Sequence, residues 1–453
     1  MPGQVTNYDG SIIASPQQLV YPRTVAEIQA ILHDTTRYPG PVRAMGSYHS
    51  LTPCASSEGT MVNTSKMDKI VSIDGKLTIT CEAGLQVIEA NHALRKQGLQ
   101  FMTNIEIGNM TVGSAACCHS KDALDGVEFG QFNSYLVGMK WVTPSGDLAE
   151  ASATDNPQLL YRMRSSYGLC GIVYEVTFRI KPIEALHLTY LPRPVAELSD
   201  SEVNQIIENS EGLICWIVGR TAVFQTRHRI AHPGILASLQ AAARHGLWNF
   251  DAAHTGRFLD RFIREKHLRD ALKNGLFDAD KLFFSTLHAF GGITMLGPDK
   301  TIDYRSTPAS AKYAFTFWTF PRSQWLATLR AYLDFAEQHF KRTGFRCDMP
   351  LGSYFIRRDR NSLLSYTQDG DMFSIDPIHA STDNDAWGDF LRQFNEFAWQ
   401  RGGKPLLNQS PFVERKHVEA AYGERWSEFS AWVRSMDPTG RMLNPFFKEL
   451  LSK

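Results

Sequence analysis

Residues 43–50 read Arg43-Ala44-Met45-Gly46-Ser47-Tyr48-His49-Ser50 and follow the short run Pro41-Val42. Small side chains let successive backbone N–H groups converge on an anion such as a phosphate, and serine hydroxyls add donors without a long basic side chain. His49 then stands at the edge of whatever the loop holds. Taken alone, the string also suits a serine-rich surface turn. A second run of small residues, Gly108-Asn109-Met110-Thr111-Val112-Gly113-Ser114-Ala115-Ala116-Cys117-Cys118-His119-Ser120, offers bare backbone against which a cofactor can lie. A metal site is not expected. The seven cysteines are scattered without a C-x-x-C pair, which argues for reduced thiols rather than a disulfide framework. Cys117 and Cys118 point to opposite sides if their backbone is extended. His228 and His232 have helical i, i+4 spacing but no cysteine or carboxylate close after them, so the pair reads as structural.

The elements that must position these loops are legible from periodicity. Gln18-Leu19-Val20-Tyr21 is strand-like, and Pro22 ends it. Thr24 and Glu27 then make a capping box for a helix with Val25, Ile28, Ile31 and Leu32 on its apolar face. Ile70 to Ile73 and Lys76 to Cys81 form a hairpin in which Asp74-Gly75 supplies the positive-φ turn. A helix from about Leu85 to Gln97 stops at Gly98. Next come a strand around Tyr135 to Val142, a turn at Thr143-Pro144-Ser145-Gly146, and a proline-started helix from Asp155 to near Gly168. Ile172, Tyr174, Val176, Phe178 and Ile180 alternate with polar partners in a half-buried strand. After Pro182 the texture changes. Residues from about 235 to 284 are helical, rich in histidine and arginine, and suggest an insertion or cap. Strand-like runs return at Tyr313 to Trp318, Tyr354 to Arg358 and Met372 to Ile375, and the chain ends helical.

At 453 residues the chain exceeds the usual size of one core, so two domains, or one interrupting another, is expected. Its 43% hydrophobic and 21% charged residues are ordinary globular values, and 47 basic residues balance 47 acidic ones. A nucleic-acid or membrane-surface protein would show a basic excess or stripe, so neither is expected. Without a signal peptide pattern or an apolar run of about 18 residues, the expected location is cytoplasmic.

Four stretches together resemble the FAD-binding proteins of the vanillyl-alcohol oxidase superfamily, in the aldonolactone and alditol oxidase branch. Arg43 to Ser50 is similar to that branch's R-x-x-G-S-G-H-S, and Thr111-Val112-Gly113-Ser114-Ala115 to its T-V-A-G-A. Ser166-Tyr167-Gly168-Leu169-Cys170-Gly171-Ile172-Val173-Tyr174-Glu175-Val176-Thr177 is similar to S-L-G-A-L-G-V-I-T-E-V-T, and the closing Asp437-Pro438-x-Gly440-x-x-Leu443-Asn444 also fits. The resemblance implies an α+β fold: a two-subdomain PCMH-type FAD-binding domain at 1–182, an inserted α+β substrate or cap domain at 183–405, and a segment 406–453 that completes the FAD domain. No G-x-G-x-x-G string occurs, in keeping with a dinucleotide site of another kind.

By the same resemblance, His49 aligns with the histidine that carries a covalent 8α link to flavin, a role needing a neutral ring nitrogen as nucleophile. Relatives with a second, cysteine link have it near the position of Ile107, so one bond is expected. The cofactor residues implied are Met45, Gly46, Ser47, Tyr48, His49, Ser50, Thr111, Gly113, Ser114, Ala116, Cys117, Cys118, Gly171, Ile172, Val173 and Asn408. Departures bear on substrate. The branch's E-x-R is matched to Phe355-Ile356-Arg357, losing the acid, and its H-W-G-K to Leu406-Leu407-Asn408-Gln409, losing the lysine. Tyr354, Arg357 and Gln409 are the catalytic candidates, and Tyr354, Arg357, Trp318 and Phe317 suggest a larger, partly apolar substrate. The implied activity is a flavin-dependent oxidation of a C–H next to oxygen or nitrogen in a small molecule, with O2 or another acceptor. The second class is an FAD-binding protein or cyclase without net oxidation.

Overall fold

A computed structural model of the chain describes residues 3–75, 77–120, 128–232, 262–305, 312–380 and 385–452, together with 234, 239, 240, 242, 243 and 259. Helices and strands are mixed along its length, an α+β fold. Gln18–Val20, Thr60–Asn63 and Val42–Met45 form a parallel sheet with Thr60–Asn63 in the middle. The helix Val25–His33 buries Ile28, Ile31 and Leu32 in one cluster with Val42 and Val62. Its start differs slightly from expectation: Thr24 Oγ1 accepts from Glu27 N at 3.2 Å, but Glu27 Oε2 accepts from Arg23 N, one residue before the cap.

A second, antiparallel sheet runs in the order Leu148–Ser152, Leu136–Val142, Ile172–Pro182, Thr78–Glu82, Ile70–Asp74, with Leu99–Phe101 paired to the end of Ile172–Pro182. Its hairpin turns on Leu77, at φ +58°, rather than on Gly75, because the Asp74 carboxylate accepts from Thr78 N and Oγ1 and pulls the turn late. The second small-residue run, expected as a loop, contains the helix Val112–Cys117. Thr111 caps it by accepting from Ser114 N, so Cys117 and Cys118 sit at a helix end rather than in extended backbone.

An eight-stranded antiparallel sheet starts just after Pro182. Its order is Ile293–Leu296, Ala185–Pro194, Thr221–Ile230, Gly212–Val218, Leu351–Ile356, Met372–Ile375, Trp318–Pro321, Lys404–Pro405. The helices Trp325–Thr343 and Asp385–Trp399 pack Trp325, Leu329, Phe390 and Phe394 on one face. Of the helical insertion expected over about 235–284, the helix Lys266–Ala289 is seen, with Phe284 buried on the opposite face; residues 235–238, 241, 244–258, 260 and 261 lie outside the described residues. His228 belongs to a strand, so its spacing to His232 is not that of a helix. The helices Arg415–Tyr422, Glu424–Met436 and Pro445–Leu451 return to the first half, where Trp426, Phe429 and Phe447 share a core with Trp141, Phe132 and Phe178. Among the described residues no helix is long and apolar enough to cross a membrane.

Candidate functional site

Residues 46–50 leave the end of Val42–Met45 and meet the helix Val112–Cys117 at close range. A Cβ added at Gly46 would stand 2.3 Å from Thr111 Oγ1 and 2.8 Å from Ser114 Oγ, so only glycine permits the contact. Arg43 is not an anion ligand. Its buried guanidinium donates to the carbonyls of Cys54, Tyr167, Gly168 and Met442 at 2.5–3.1 Å and ties three distant segments together. Tyr48 turns the loop at φ +55°, in the left-handed region where the family pattern has glycine, and its buried phenol pairs with Ser56 Oγ at 2.5 Å. The consequence is a run of free donors: among the described residues, no protein acceptor takes the backbone N–H of Ser47, Tyr48, His49 or Ser50. In the helix region, by contrast, Val112, Gly113 and Ser114 spend theirs on Leu85 O, Ala83 O and Thr111 Oγ1.

Between the two segments lies a cleft of ≈ 930 Å³, its open mouth included. Of the residues inferred from sequence, Met45, Gly46, Ser47, Tyr48, His49, Ser50, Thr111, Gly113, Ser114, Cys117, Cys118, Gly171, Val173, Asn408 and Gln409 line it. Ile172 and Ala116 do not: strand alternation turns Ile172 away from its neighbours Gly171 and Val173 into the core with Val142 and Ile28, and Ala116 is packed inside the first core. Gly171, at φ +128°, backs onto Val142, whose carbonyl would be 2.1 Å from a Cβ. The thiols are structural lining, since burial pushes Cys117 up to about 11 and Cys118 well above the ordinary range.

The cleft fits FAD on its own observations. It has unspent N–H donors for phosphate oxygens, and two buried amide oxygens, Asn408 Oδ1 and Gln409 Oε1, that have no donor in the protein. Such acceptors suit the N–H edge of a polar ring. His49 is half-buried and stacks on Tyr8 at 4.5 Å and 19°. Burial, with the nearby charge of Lys312, lowers its pKa to about 4, so the ring is neutral at physiological pH.

Beyond His49 stands a cluster of aromatic and charged side chains, of which the sequence reading named only Tyr354 as a site candidate. Tyr304 sits 5.7 Å from Tyr8 and 6.4 Å from His49, and its hydroxyl meets that of Tyr313 at 2.9 Å. Tyr354 donates to Glu106 Oε2 at 2.5 Å, and Arg227 Nη2 lies 3.8 Å from Glu106 Oε1. These residues are spread from position 8 to 354 with no fixed spacing; the available hint was Glu106 just before the small-residue run. Arg357 is a correction. Strand Leu351–Ile356 ends before it, and its guanidinium lies on the exposed side, 5.8 Å from the Phe355 ring. Alternation puts Leu351 and Phe355 in the core under the helices and Tyr354 and Ile356 on the opposite face, so an E-x-R pair facing the site falls on Gly352 and Tyr354 instead. Trp318 and Phe317 are fully buried core residues, Trp318 donating to Asn395 Oδ1 at 3.0 Å, and neither borders the cleft.

Comparison with known proteins agrees with an FAD-binding fold. A family model described as FAD binding domain matches residues 16–152, and one described as D-arabinono-1,4-lactone oxidase matches residues 305–450. L-gulonolactone oxidase of Scyliorhinus torazame is 22% identical over 451 residues, covering 98% of both chains. L-gulono-1,4-lactone dehydrogenase of Mycobacterium tuberculosis is 26% identical over 185 residues, 40% of this chain and 42% of that enzyme. Among solved structures, a solvent-stable cholesterol oxidase superposes with TM-score 0.73 at 14% identity, over 99% of this chain and 97% of that one, a likeness of fold. Two family models in this order and a relative matched end to end support an FAD-dependent oxidase of the vanillyl-alcohol oxidase superfamily, in the aldonolactone branch.

Proposed function

We propose that the chain oxidises a hydroxylated 1,4-lactone in a chamber between Tyr304 and Tyr354, using FAD held in the adjoining cleft. The relatives named for L-gulono-1,4-lactone and D-arabinono-1,4-lactone support the substrate class. FAD supplies the hydride acceptor and, through O2 or another acceptor, the exit for the electrons. This chain's residues do the rest. The free N–H groups of residues 47–50 hold phosphate oxygens, Thr111, Gly113 and Ser114 form the wall against which the cofactor lies, and Asn408 and Gln409 accept from its ring edge. His49, neutral and at the meeting of cleft and chamber, is the residue for a single covalent attachment. Ile107 is at the position where a second link would start and offers no nucleophile.

The observation that carries this reading is the place of His49, which lines the cleft and also stands against the rings of Tyr8 and Tyr304. A hydroxylated lactone suits that chamber because Glu106, Arg227 and the paired Tyr304 and Tyr313 hydroxyls can satisfy its polar groups while the tyrosine rings cover its carbon face. The test is anaerobic bleaching of the bound flavin by a panel of 1,4-aldonolactones, alditols and apolar secondary alcohols. Bleaching by one or more lactones at lower concentration than by any alditol is expected. Bleaching by the apolar alcohols alone would overturn the lactone reading.

A further inference from the structure

Strand Leu351–Ile356 presents Gly352 and Tyr354 to the chamber, and neither carries a charge. Two carboxylates approach this face: Asp376, 3.9 Å from a Cβ placed on Gly352, and Glu106, which comes from the cofactor-binding half. Glu106 immediately precedes Ile107, which lines the flavin cleft. Its backbone is fixed where the halves meet: Ile302 N donates to Glu106 O at 2.8 Å, and Gly108 N donates to Ile302 O at 3.0 Å. The side chain is 22% exposed, so it is reachable from the chamber without being a surface group.

Both carboxylate oxygens face partners from the other half of the molecule. Tyr354 donates to Oε2 at 2.5 Å, and the buried Arg227 stands 3.8 Å from Oε1, within ion-pair range but too far for a direct hydrogen bond. Tyr354 remains a donor, because burial and the neighbouring carboxylate raise its pKa well above the ordinary phenol range. On the open side stands the Tyr304–Tyr313 hydroxyl pair.

We infer that Glu106 and Tyr354 form the anchor for a substrate hydroxyl, Glu106 accepting from it and the Tyr354 phenol turning to it the one hydrogen bond that it otherwise donates to Glu106 Oε2, with Arg227 positioning the carboxylate. This rests on the proposed lactone reading and names the residues that recognise the ligand's hydroxyl. The pair spans the junction, so it assembles only when the cofactor-binding half and the eight-stranded sheet are in register. A carboxylate acceptor beside a phenol donor matches a neutral hydroxyl, which both gives and takes a hydrogen bond.

The experiment is isothermal titration of the fully reduced holoenzyme with the lactone that bleaches the wild type best; reduced flavin accepts no hydride, so binding is read without turnover. Glu106→Gln is expected to weaken binding by about tenfold or more, and Tyr354→Phe by about three- to tenfold, the scale of one hydrogen bond to a charged and one to a neutral group. Glu106→Asp, which keeps the charge, is expected to recover part of the loss. Thermal unfolding and flavin content of each variant separate a purely structural role, which lowers both and leaves the Kd of the folded fraction unchanged. Lys341→Ala, on a distant exposed helix, is the control. If the wild type binds the lactone and both Glu106→Gln and Tyr354→Phe bind it as tightly, the anchor is wrong while the lactone reading stands. If no lactone bleaches or binds to the wild type, the lactone reading and the anchor both fall.

Discussion

Tyr48 shows how a single residue departs from a motif and is held in place regardless. Its left-handed backbone costs a non-glycine residue about 1–2 kcal/mol, yet its ring is buried and its hydroxyl is paired with Ser56. Removing a buried aromatic ring costs about 3–5 kcal/mol, so burial wins over backbone relief. Tyr48→Gly is therefore expected to destabilise the protein by roughly 1–3 kcal/mol, measured by urea unfolding, despite restoring the family's glycine. A stabilised variant would mean that strain dominates. Arg357 is the converse case, a residue singled out by a pattern and left outside. Arg357→Ala and Arg358→Ala are expected to slow reductive bleaching less than about twofold each, because neither guanidinium borders the cleft. A tenfold loss for Arg357→Ala alone would return it to the site. The donors and small residues around Gly46 and Thr111 were legible because nearby residues in sequence build one loop. The Glu106–Tyr354 pair was not, because its partners meet only through tertiary packing.

At the level of elements, the cleft is held open by segments that cap and brace one another. Asn444 accepts from Phe447 N at 3.1 Å to start the last helix and donates to Pro53 O and Ser56 O, both at 2.9 Å. Those carbonyls flank Cys54 and Ala55, which line the cleft. Asn444→Ala is expected to lower stability by about 2–4 kcal/mol, the sum of a lost cap and two buried acceptors left unpaired. Asn444→Asp, which keeps the cap but cannot donate, is expected to fall between that variant and wild type in the same unfolding measurement. Equal losses would show that the cap contributes nothing. Sequence periodicity placed the helix Val25–His33 and the strand Ile172–Pro182 well, because amphipathic spacing and burial agree there. It erred at Leu77, where a side-chain hydrogen bond moved the turn, and at Val112–Cys117, where a threonine cap outweighed a glycine-rich composition. The strand Leu351–Ile356 was found, but its facing was not: a shift of one or three residues exchanges the two sides of a strand, and only the pairing register decides between them.

Across the whole molecule, residues from both ends and the middle converge on one cleft, and buried histidines make that convergence sensitive to acid. His119 is wholly buried, with Nε2 2.8 Å from Ser362 Oγ and Nδ1 3.2 Å from the Tyr167 hydroxyl, and burial lowers its pKa to about 3. Unfolding returns it to about 6.5, so the unfolded state binds the extra proton. Above that pH His119 contributes nothing to pH dependence; below it, stability falls by on the order of 1.4 kcal/mol per unit until about pH 3. His119→Gln is expected to flatten the decline of unfolding free energy between pH 6 and 4 by about that slope, and parallel slopes for both proteins would refute it. His49 shares this neutral state but lines the cleft, where the proposed covalent link would use a neutral ring nitrogen as its nucleophile. The central claim, that the cleft is the FAD seat with His49 as its covalent anchor, is tested most directly by peptide mass spectrometry of the digested native protein. The account predicts the mass of FAD on the peptide that contains His49, and its absence from the His49→Ala protein, which should still fold and release free FAD on denaturation. A native peptide of unmodified mass from flavin-loaded protein, or FAD carried on another residue, would contradict it.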